Sequence, residues 1–200
     1  MTYKFMAPTI PMHLGNGVGL KFREFNFYPI SVDGAPYGSA SPNPYGLSSS
    51  AGFSATGSDT SINRSITASA TTYVYRGFFK PDQTSDSWQF RTRSNDGSWL
   101  WIDDNATGST VSLNVNNAIV KNGGQHTAVT VTSNNITLTQ TSSPYADDQL
   151  YYAIALVGGN DPGGGSLKLE FRRDGGAWQI DGTGYYFHDD RYSDGFDSSS

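Results

Sequence analysis

The acidic residues of this 200-residue chain are almost all aspartate, and this bias constrains its fold more than any other feature. Among the 18 acidic residues only Glu24 and Glu170 are glutamate. Aspartate favours turns and caps because its short carboxylate bonds the nearby backbone, whereas glutamate favours helix interiors. Together with 23 glycines and 9 prolines, this composition disfavours helices and favours strands joined by turns.

Short segments with the periodicity of strands lie between the turns. Residues 87–94 place Trp88, Phe90 and Thr92 on one face, and residues 150–157 are nearly all apolar, which is typical of a strand buried on both faces. Aromatic residues make up 14% of the chain and can fill a core. The sequence therefore predicts one all-β domain, an antiparallel, jelly-roll-like β-sandwich. The predicted strands are residues 20–30, 71–79, 87–94, 99–102, 111–115, 127–132, 135–139, 150–157, 166–172, 177–180 and 185–188.

The two ends of the chain differ in composition from the middle. Residues 1–19 contain prolines and a glycine-rich end, and they are predicted to form an extended N-terminal arm. The sandwich is predicted to span residues 20–190, with a long loop at 31–60 and an acidic tail at 191–200. Loops of that length are often functional or ordered by a partner. We expect a protein partner or a second copy of the chain to order the termini.

Several classes of function are disfavoured by the composition. The net charge of −5 argues against a nucleic-acid partner, and no apolar run is long enough to insert in a membrane. There is no cysteine, so disulfides and thiolate metal sites are excluded. Paired histidine motifs and a G-x-S-x-G serine motif are absent, and both glutamates fall in predicted strands. The chain is therefore predicted not to be an enzyme.

An ordered set of motifs begins in the predicted strand at 71–79. It comprises Tyr75-Arg76-Gly77-Phe78-Phe79, Trp88-Gln89-Phe90, Ser94-Asn95-Asp96-Gly97-Ser98-Trp99-Leu100-Trp101-Ile102-Asp103, Asn122-Gly123-Gly124-Gln125-His126 and Gly159-Asn160 before a glycine run. This set, across residues 62–188, resembles the protective-antigen-type (GLEYA) β-sandwich domains. That family includes the lectin domains of yeast flocculins and epithelial adhesins.

The resemblance implies a calcium site. In the carbohydrate-binding members, two consecutive aspartates joined by a cis peptide hold Ca²⁺, an asparagine from the late glycine-rich loop completes the side-chain ligands, and vicinal sugar hydroxyls bind the same ion. These positions correspond here to Asn95, Asp96 and Asn160, and Asp161 lies beside the last of them. Asn95 is neutral where the family has a carboxylate. Either Asp161 supplies the missing charge and the site is weak, or the metal is lost.

Each of these residues also has a plainer interpretation. Asn95-Asp96-Gly97 is a typical hairpin turn, which would pair residues 87–94 with residues 99–102. Trp99 is a candidate glycan-stacking residue, but packing in the core or at an interface is the alternative role of its indole. His126 lies in the Asn122–His126 motif and is predicted to be structural.

Two functional hypotheses follow. The first is a non-enzymatic surface protein of a larger assembly, with a lectin-like sandwich for adhesion that recognises a cell-surface glycan with Ca²⁺. The second is a purely structural virion component, such as a phage decoration or tail protein, that uses the fold for assembly without binding sugar. The N-terminal residues do not form an export signal. We therefore expect the protein at a virion or extracellular surface, which phage lysis would allow.

Overall fold

A computed structural model describes residues 17–26, 54–67, 70–82, 86–103, 115–143, 149–161 and 163–188. These residues form antiparallel strands and one 3-10 turn at Val115–Asn117, with no α-helix among them. The strands are β1 (Gly17–Val18), β2 (Leu20–Phe25), β3 (Ala55–Asp59), β4 (Asn63–Ile66), β5 (Thr71–Phe79), β6 (Asp86–Asn95), β7 (Ser98–Ile102), β8 (Val120–Asn122), β9 (Val129–Thr132), β10 (Ile136–Leu138), β11 (Tyr152–Asn160), β12 (Gly165–Arg173) and β13 (Tyr186–His188). The prediction of an all-β chain is confirmed.

The strands form two sheets, which makes the fold an antiparallel β-sandwich as predicted. The large sheet has eight strands in the order β1-β13-β5-β11-β7-β8, with β2 paired to β5 and β3 paired to β2. The small sheet has the order β10-β6-β12-β4, with β9 paired to β6. Among the described residues no helix is long and apolar enough to cross a membrane.

Aromatic side chains fill the space between the sheets. Phe79 extends from β5 of the large sheet, and its ring centroid lies 5.0 Å from that of Trp88 and 5.1 Å from that of Phe90, both on β6. Phe171 on β12 lies 5.5 Å from the same ring. These contacts are edge-to-face, an arrangement that aromatic quadrupoles favour. The face of residues 87–94 that carries Trp88 and Phe90 in the predicted alternation is therefore the one that packs in the core.

The central strands β11 and β7 of the large sheet are buried on both faces. All nine residues of β11 and all five of β7 are buried, which confirms the prediction from the apolar run at 150–157. Leu100 and Ile102 belong to the core between the sheets. Trp99 and Trp101 alternate with them and therefore lie on the opposite face, where both are also buried.

The predicted hairpin at Asn95-Asp96-Gly97 is wrong. β6 belongs to the small sheet and pairs with β9, β10 and β12, whereas β7 belongs to the large sheet and pairs with β8 and β11. The turn therefore carries the chain from one sheet to the other. Turn residues predict that the chain reverses, but the partner of each strand depends on which pairing buries its apolar face.

The predicted loop at residues 31–60 is too long at its C-terminal end. Ala55–Asp59 is strand β3, which pairs with β2 at the margin of the large sheet, while residues 31–53 lie outside the described residues. A segment of Ala, Thr, Gly, Ser and Asp has no apolar alternation, so its backbone pairing could not be predicted from periodicity.

The remaining differences from the predicted strands and arm concern three short segments. Gly17–Val18, predicted as part of the arm, forms β1 against β13, and residues 177–180 contribute only an isolated bridge at Gln179. Val115 begins the 3-10 turn, and residues 111–114 lie outside the described residues. The same holds for the rest of the arm, 1–16, and for the tail at 191–200.

Candidate functional site

Two turns that are far apart in sequence meet at one end of the sandwich. The first joins β6 to β7 at residues 95–97, and the second joins β11 to β12 at residues 161–164. The backbone N–H of Asp161 donates to Oδ2 of Asp96 over 3.0 Å, and the N–H of Gly159 donates to the carbonyl of Gly97 over 3.1 Å. The four predicted ligands, Asn95, Asp96, Asn160 and Asp161, therefore lie together at the same rim.

These residues surround an open cavity of about 320 Å³. It is lined by Asn95, Asp96, Gln125, Asn160, Asp161, Gly163 and Gly164. Five of these seven residues have amide or carboxylate side chains, and the other two are glycines. Small-molecule sites usually have mostly apolar walls, so a wall made of amides, carboxylates and glycine backbone suits a polar ligand.

The carboxylate of Asp96 is held in place by two backbone donors. The residue is only 7% exposed, its Oδ1 accepts a hydrogen bond of 2.9 Å from the N–H of His126, and its Oδ2 accepts the bond from Asp161. An ionised carboxylate can accept about four hydrogen bonds, so each oxygen keeps acceptor capacity for a ligand. The peptide bond between Asn95 and Asp96 is cis, as the resemblance implied.

Both asparagine side chains use their nitrogen atoms to bond the glycine-rich loop. Asn95 Nδ2 donates to the carbonyl of Gly164 over 3.2 Å, and Asn160 Nδ2 donates to the carbonyl of Gly163 over 2.7 Å. With the amides assigned in this way, their oxygens are the acceptors left for a ligand. A Cβ on Gly165 would lie 2.6 Å from Oδ1 of Asn160, so this close packing requires glycine.

A buried polar network inside the sandwich holds the two residues that flank the β6–β7 turn. Ser94 and Ser98, which flank the turn, are joined through their hydroxyls at 2.7 Å, and Ser98 also donates to Thr92 over 2.8 Å. Asn122 at the end of β8 donates to Ser94 over 2.9 Å and to the carbonyl of Val129 over 3.1 Å. The network therefore joins the turn to the β8–β9 loop.

That β8–β9 loop supplies a cavity residue that sequence reasoning did not identify. Gln125 Nε2 donates to Oδ2 of Asp161 over 2.9 Å, which links the β8–β9 loop to the β11–β12 loop. The motif Asn122–His126 was the available signal, but it predicted only a structural role for His126. The backbone bond from His126 to Asp96 agrees with that role.

Trp99 does not belong to the cavity. Its side chain is 0% exposed on the far face of the large sheet, so the indole is not available to a sugar, and the stacking role is excluded from the site. Within the described part of the chain, no three side chains of His, Cys, Asp or Glu come together as metal ligands. Asp96 and Asp161 are the two carboxylates that line the cavity.

Known proteins with this fold include sugar-binding domains. The PA14 sugar-binding domain from an RTX adhesin superposes with a TM-score of 0.61 at 18% identity, covering 86% of this chain and 99% of the other. The epithelial adhesin 6 A domain from Candida glabrata, solved in complex with Galβ1-3GlcNAc, gives 0.59 at 15% identity over 89% and 90%. The PA14 domain of the antifreeze protein MpAFP gives 0.60 at 13% identity over 92% and 95%. At these identities the likeness shows the fold alone.

The sequence comparisons agree with the fold. No curated protein sequence matches the chain significantly. A family model of the GLEYA domain matches residues 71–173, a span that runs from the first residue of β5 to the last of β12 and includes both turns of the cavity. This chain belongs to the GLEYA domain family.

Proposed function

We propose that this chain binds carbohydrate in the cavity formed by the β6–β7 turn and the β8–β9 and β11–β12 loops. The observation that carries the proposal is the hydrogen bond from the Asp161 backbone to the Asp96 carboxylate. It joins two segments 65 residues apart and places two carboxylates and two amides around one polar space. Glycans present many hydroxyl groups, which match these acceptors and donors.

We further propose that Ca²⁺ participates in this binding. Calcium takes six to eight oxygen ligands and accepts both carboxylate and amide oxygens. Asp96 and Asp161 would balance the charge of the ion, and Asn95 and Asn160 would supply neutral oxygens. When bound, the ion would offer its remaining coordination positions to vicinal hydroxyls of a sugar. Because two carboxylates line the cavity among the described residues, we expect a weak dissociation constant, on the order of 10⁻⁴ M.

The comparisons support a glycan as the ligand class. One neighbour is described as a sugar-binding domain of an adhesin, and the Candida glabrata adhesin domain was solved with a disaccharide. An adhesion role at a cell or particle surface is therefore part of the proposal. Which glycan is bound depends on the loops around the cavity.

Calcium titration and a glycan array test the proposal together. The wild-type protein should give a saturable heat signal on titration with Ca²⁺ and should bind a subset of arrayed glycans in Ca²⁺ but not in EDTA. Asp96→Ala should abolish both signals, because it removes the most buried carboxylate of the site. Asp181→Ala is the matched control, since Asp181 is exposed and its carboxylate accepts from the Thr183 backbone and hydroxyl, away from the cavity.

Asp96→Ala also removes two backbone hydrogen bonds and can lower stability. Asp161→Asn is therefore a second, nearly isosteric variant that removes one charge. Loss of calcium-dependent binding in both variants, with thermal unfolding still cooperative, supports the proposal. Glycan binding that persists in EDTA and in both variants would contradict the role of calcium, and no binding by the wild type to any arrayed glycan would contradict the carbohydrate role.

The assembly hypothesis stays a prediction. It includes the virion location, the partner or homo-oligomer at the termini, and the purely structural alternative, and it depends on residues 1–16 and 191–200, which lie outside the described residues. Light scattering on the full chain addresses the oligomer. That the chain has no catalytic activity likewise stays a prediction.

A further inference from the structure

The outer face of the small sheet carries a row of cationic side chains. In the pairing of β6 with β12, Lys168 lies opposite Arg93, Glu170 opposite Arg91, and Arg172 opposite Gln89. These residues alternate with core residues of the same two strands, so they lie on the face directed away from the large sheet. We call Arg91, Arg93, Lys168 and Arg172 the cationic face.

The positive charge of this face is only partly compensated. Glu170, the carboxylate opposite Arg91, accepts from Arg91 Nε at 2.7 Å and from Lys168 Nζ at 2.9 Å. Arg93 is exposed and forms no ion pair with any described residue. Four cations and one carboxylate leave a formal excess of three positive charges, on a chain whose net charge is −5.

Arg172 is held by neutral partners. Its Nε and Nη2 donate to Oε1 of Gln89 over 2.9 and 2.6 Å, and its guanidinium lies 4.5 Å from the ring centroid of Trp178. An amide oxygen and an indole orient the guanidinium without neutralising it. The group is therefore positioned before any anion arrives, which lowers the entropy cost of binding.

The spacing of these cations suits an extended polyanion. Residues on one face of a strand repeat every ~7 Å, and neighbouring strands lie ~4.8 Å apart. Lys168 and Arg172 are four residues apart on β12, so the cationic face extends about 14 Å along the strand.

We propose that the cationic face binds an anionic polysaccharide, through its carboxylate or sulfate groups, independently of the calcium cavity. A folded acidic protein would need an apolar centre in the interface, and the aromatic side chain that contacts the described cations of this face is Trp178. The guanidinium of Arg91 lies 4.2 Å from that ring centroid, and Arg172 contacts the same ring. The ring is thus occupied by cations and is a poor stacking platform for nucleic-acid bases.

Heparin and alginate are suitable probes, because one carries sulfates and the other only carboxylates. Binding of the full chain should be measured by biolayer interferometry in EDTA at several NaCl concentrations, with neutral dextran as the blank. The wild type should bind at least one probe, with an affinity that falls as salt rises. Arg93→Gln and Arg172→Gln should each weaken binding about fivefold. The double variant should weaken it about twenty-fivefold and lower the salt slope by about two.

Lys121→Gln is the matched control, since it removes an exposed cation from β8 of the large sheet. It should change the affinity little, and Asp96→Ala should retain binding, which separates this proposal from the calcium-dependent function. The proposal is overturned if neither probe binds at 50 mM NaCl, or if Lys121→Gln lowers the affinity for the probe as much as Arg93→Gln does. It is also overturned if duplex DNA or polyglutamate binds as tightly as the polysaccharides. Cooperative thermal unfolding of each variant ensures that a loss of binding reports on the surface.

Discussion

Replacing Asn95 with aspartate should tighten calcium binding. The change adds a third carboxylate to a cavity that already contains Asp96 and Asp161. Two unit charges 4 Å apart attract by about 1 kcal/mol in bulk water, and a divalent ion doubles this figure. Because the cavity is open to solvent, the value for water is the appropriate one. We therefore expect the free energy of calcium binding to improve by about 1.4 kcal/mol, which is an affinity about tenfold higher.

The same change should destabilise the protein when calcium is absent. Asn95 Nδ2 donates to the carbonyl of Gly164 over 3.2 Å, and an aspartate would place an acceptor there instead. Losing this long, exposed hydrogen bond, with repulsion from the neighbouring carboxylates, should cost about 1 kcal/mol. Urea unfolding in EDTA measures this cost, and isothermal titration with Ca²⁺ measures the gain. The two effects have opposite signs, which a general change in stability cannot produce.

Gln125→Glu separates ligation from charge alone. Gln125 lines the same cavity and bonds Asp161, but it is not among the proposed ligands. This variant should improve calcium binding much less than Asn95→Asp. Equal improvement by both variants would mean that the oxygen at position 95 is not a ligand, and no improvement by Asn95→Asp would refute the calcium proposal at this cavity.

Two further predictions concern stability. A Cβ on Gly159 would clash with the backbone carbonyl of Thr71, whereas one on Gly158 would meet a side-chain atom, Cδ1 of Leu167, at 2.6 Å. Gly158→Ala should cost about 1–3 kcal/mol in urea unfolding, and Gly159→Ala should cost more, with a weaker response to calcium; an equal cost would contradict the close approach of Gly159 to the β5 backbone. Burial alone would raise the pKa of Glu170, but hydrogen bonds from its two cationic neighbours outweigh this effect and hold the pKa below the ordinary 4.5. The ionised Glu170 therefore stabilises the folded state above pH 4.5, and this stabilisation is lost as the pH falls below that value. Glu170→Gln should abolish this part of the dependence of unfolding free energy on pH.

Much of the architecture follows from local sequence patterns. The alternation in residues 87–94 predicted which side chains of β6 share a face, and the apolar run of β11 predicted its burial on both faces. A period of two is a property of the strand itself, so it can be read without knowing the partner strand. The resemblance to the protective-antigen-type domains implied that Asn95, Asp96 and Asn160, with Asp161 beside them, form one set, and the fold brings these four residues to the same cavity.

Which strands pair, and what each turn joins, was decided only by tertiary packing. The sequence of residues 95–97 indicates a reversal equally well for a hairpin and for a crossing between sheets, and the core selects the crossing. The indole of Trp99 has the same sequence pattern whether it is exposed or covered, and in the folded chain it is covered. Gln125 reaches the cavity because the polar network under Ser94 brings the β8–β9 loop beside it. Such contacts depend on residues distant in the chain, so no local pattern could specify them.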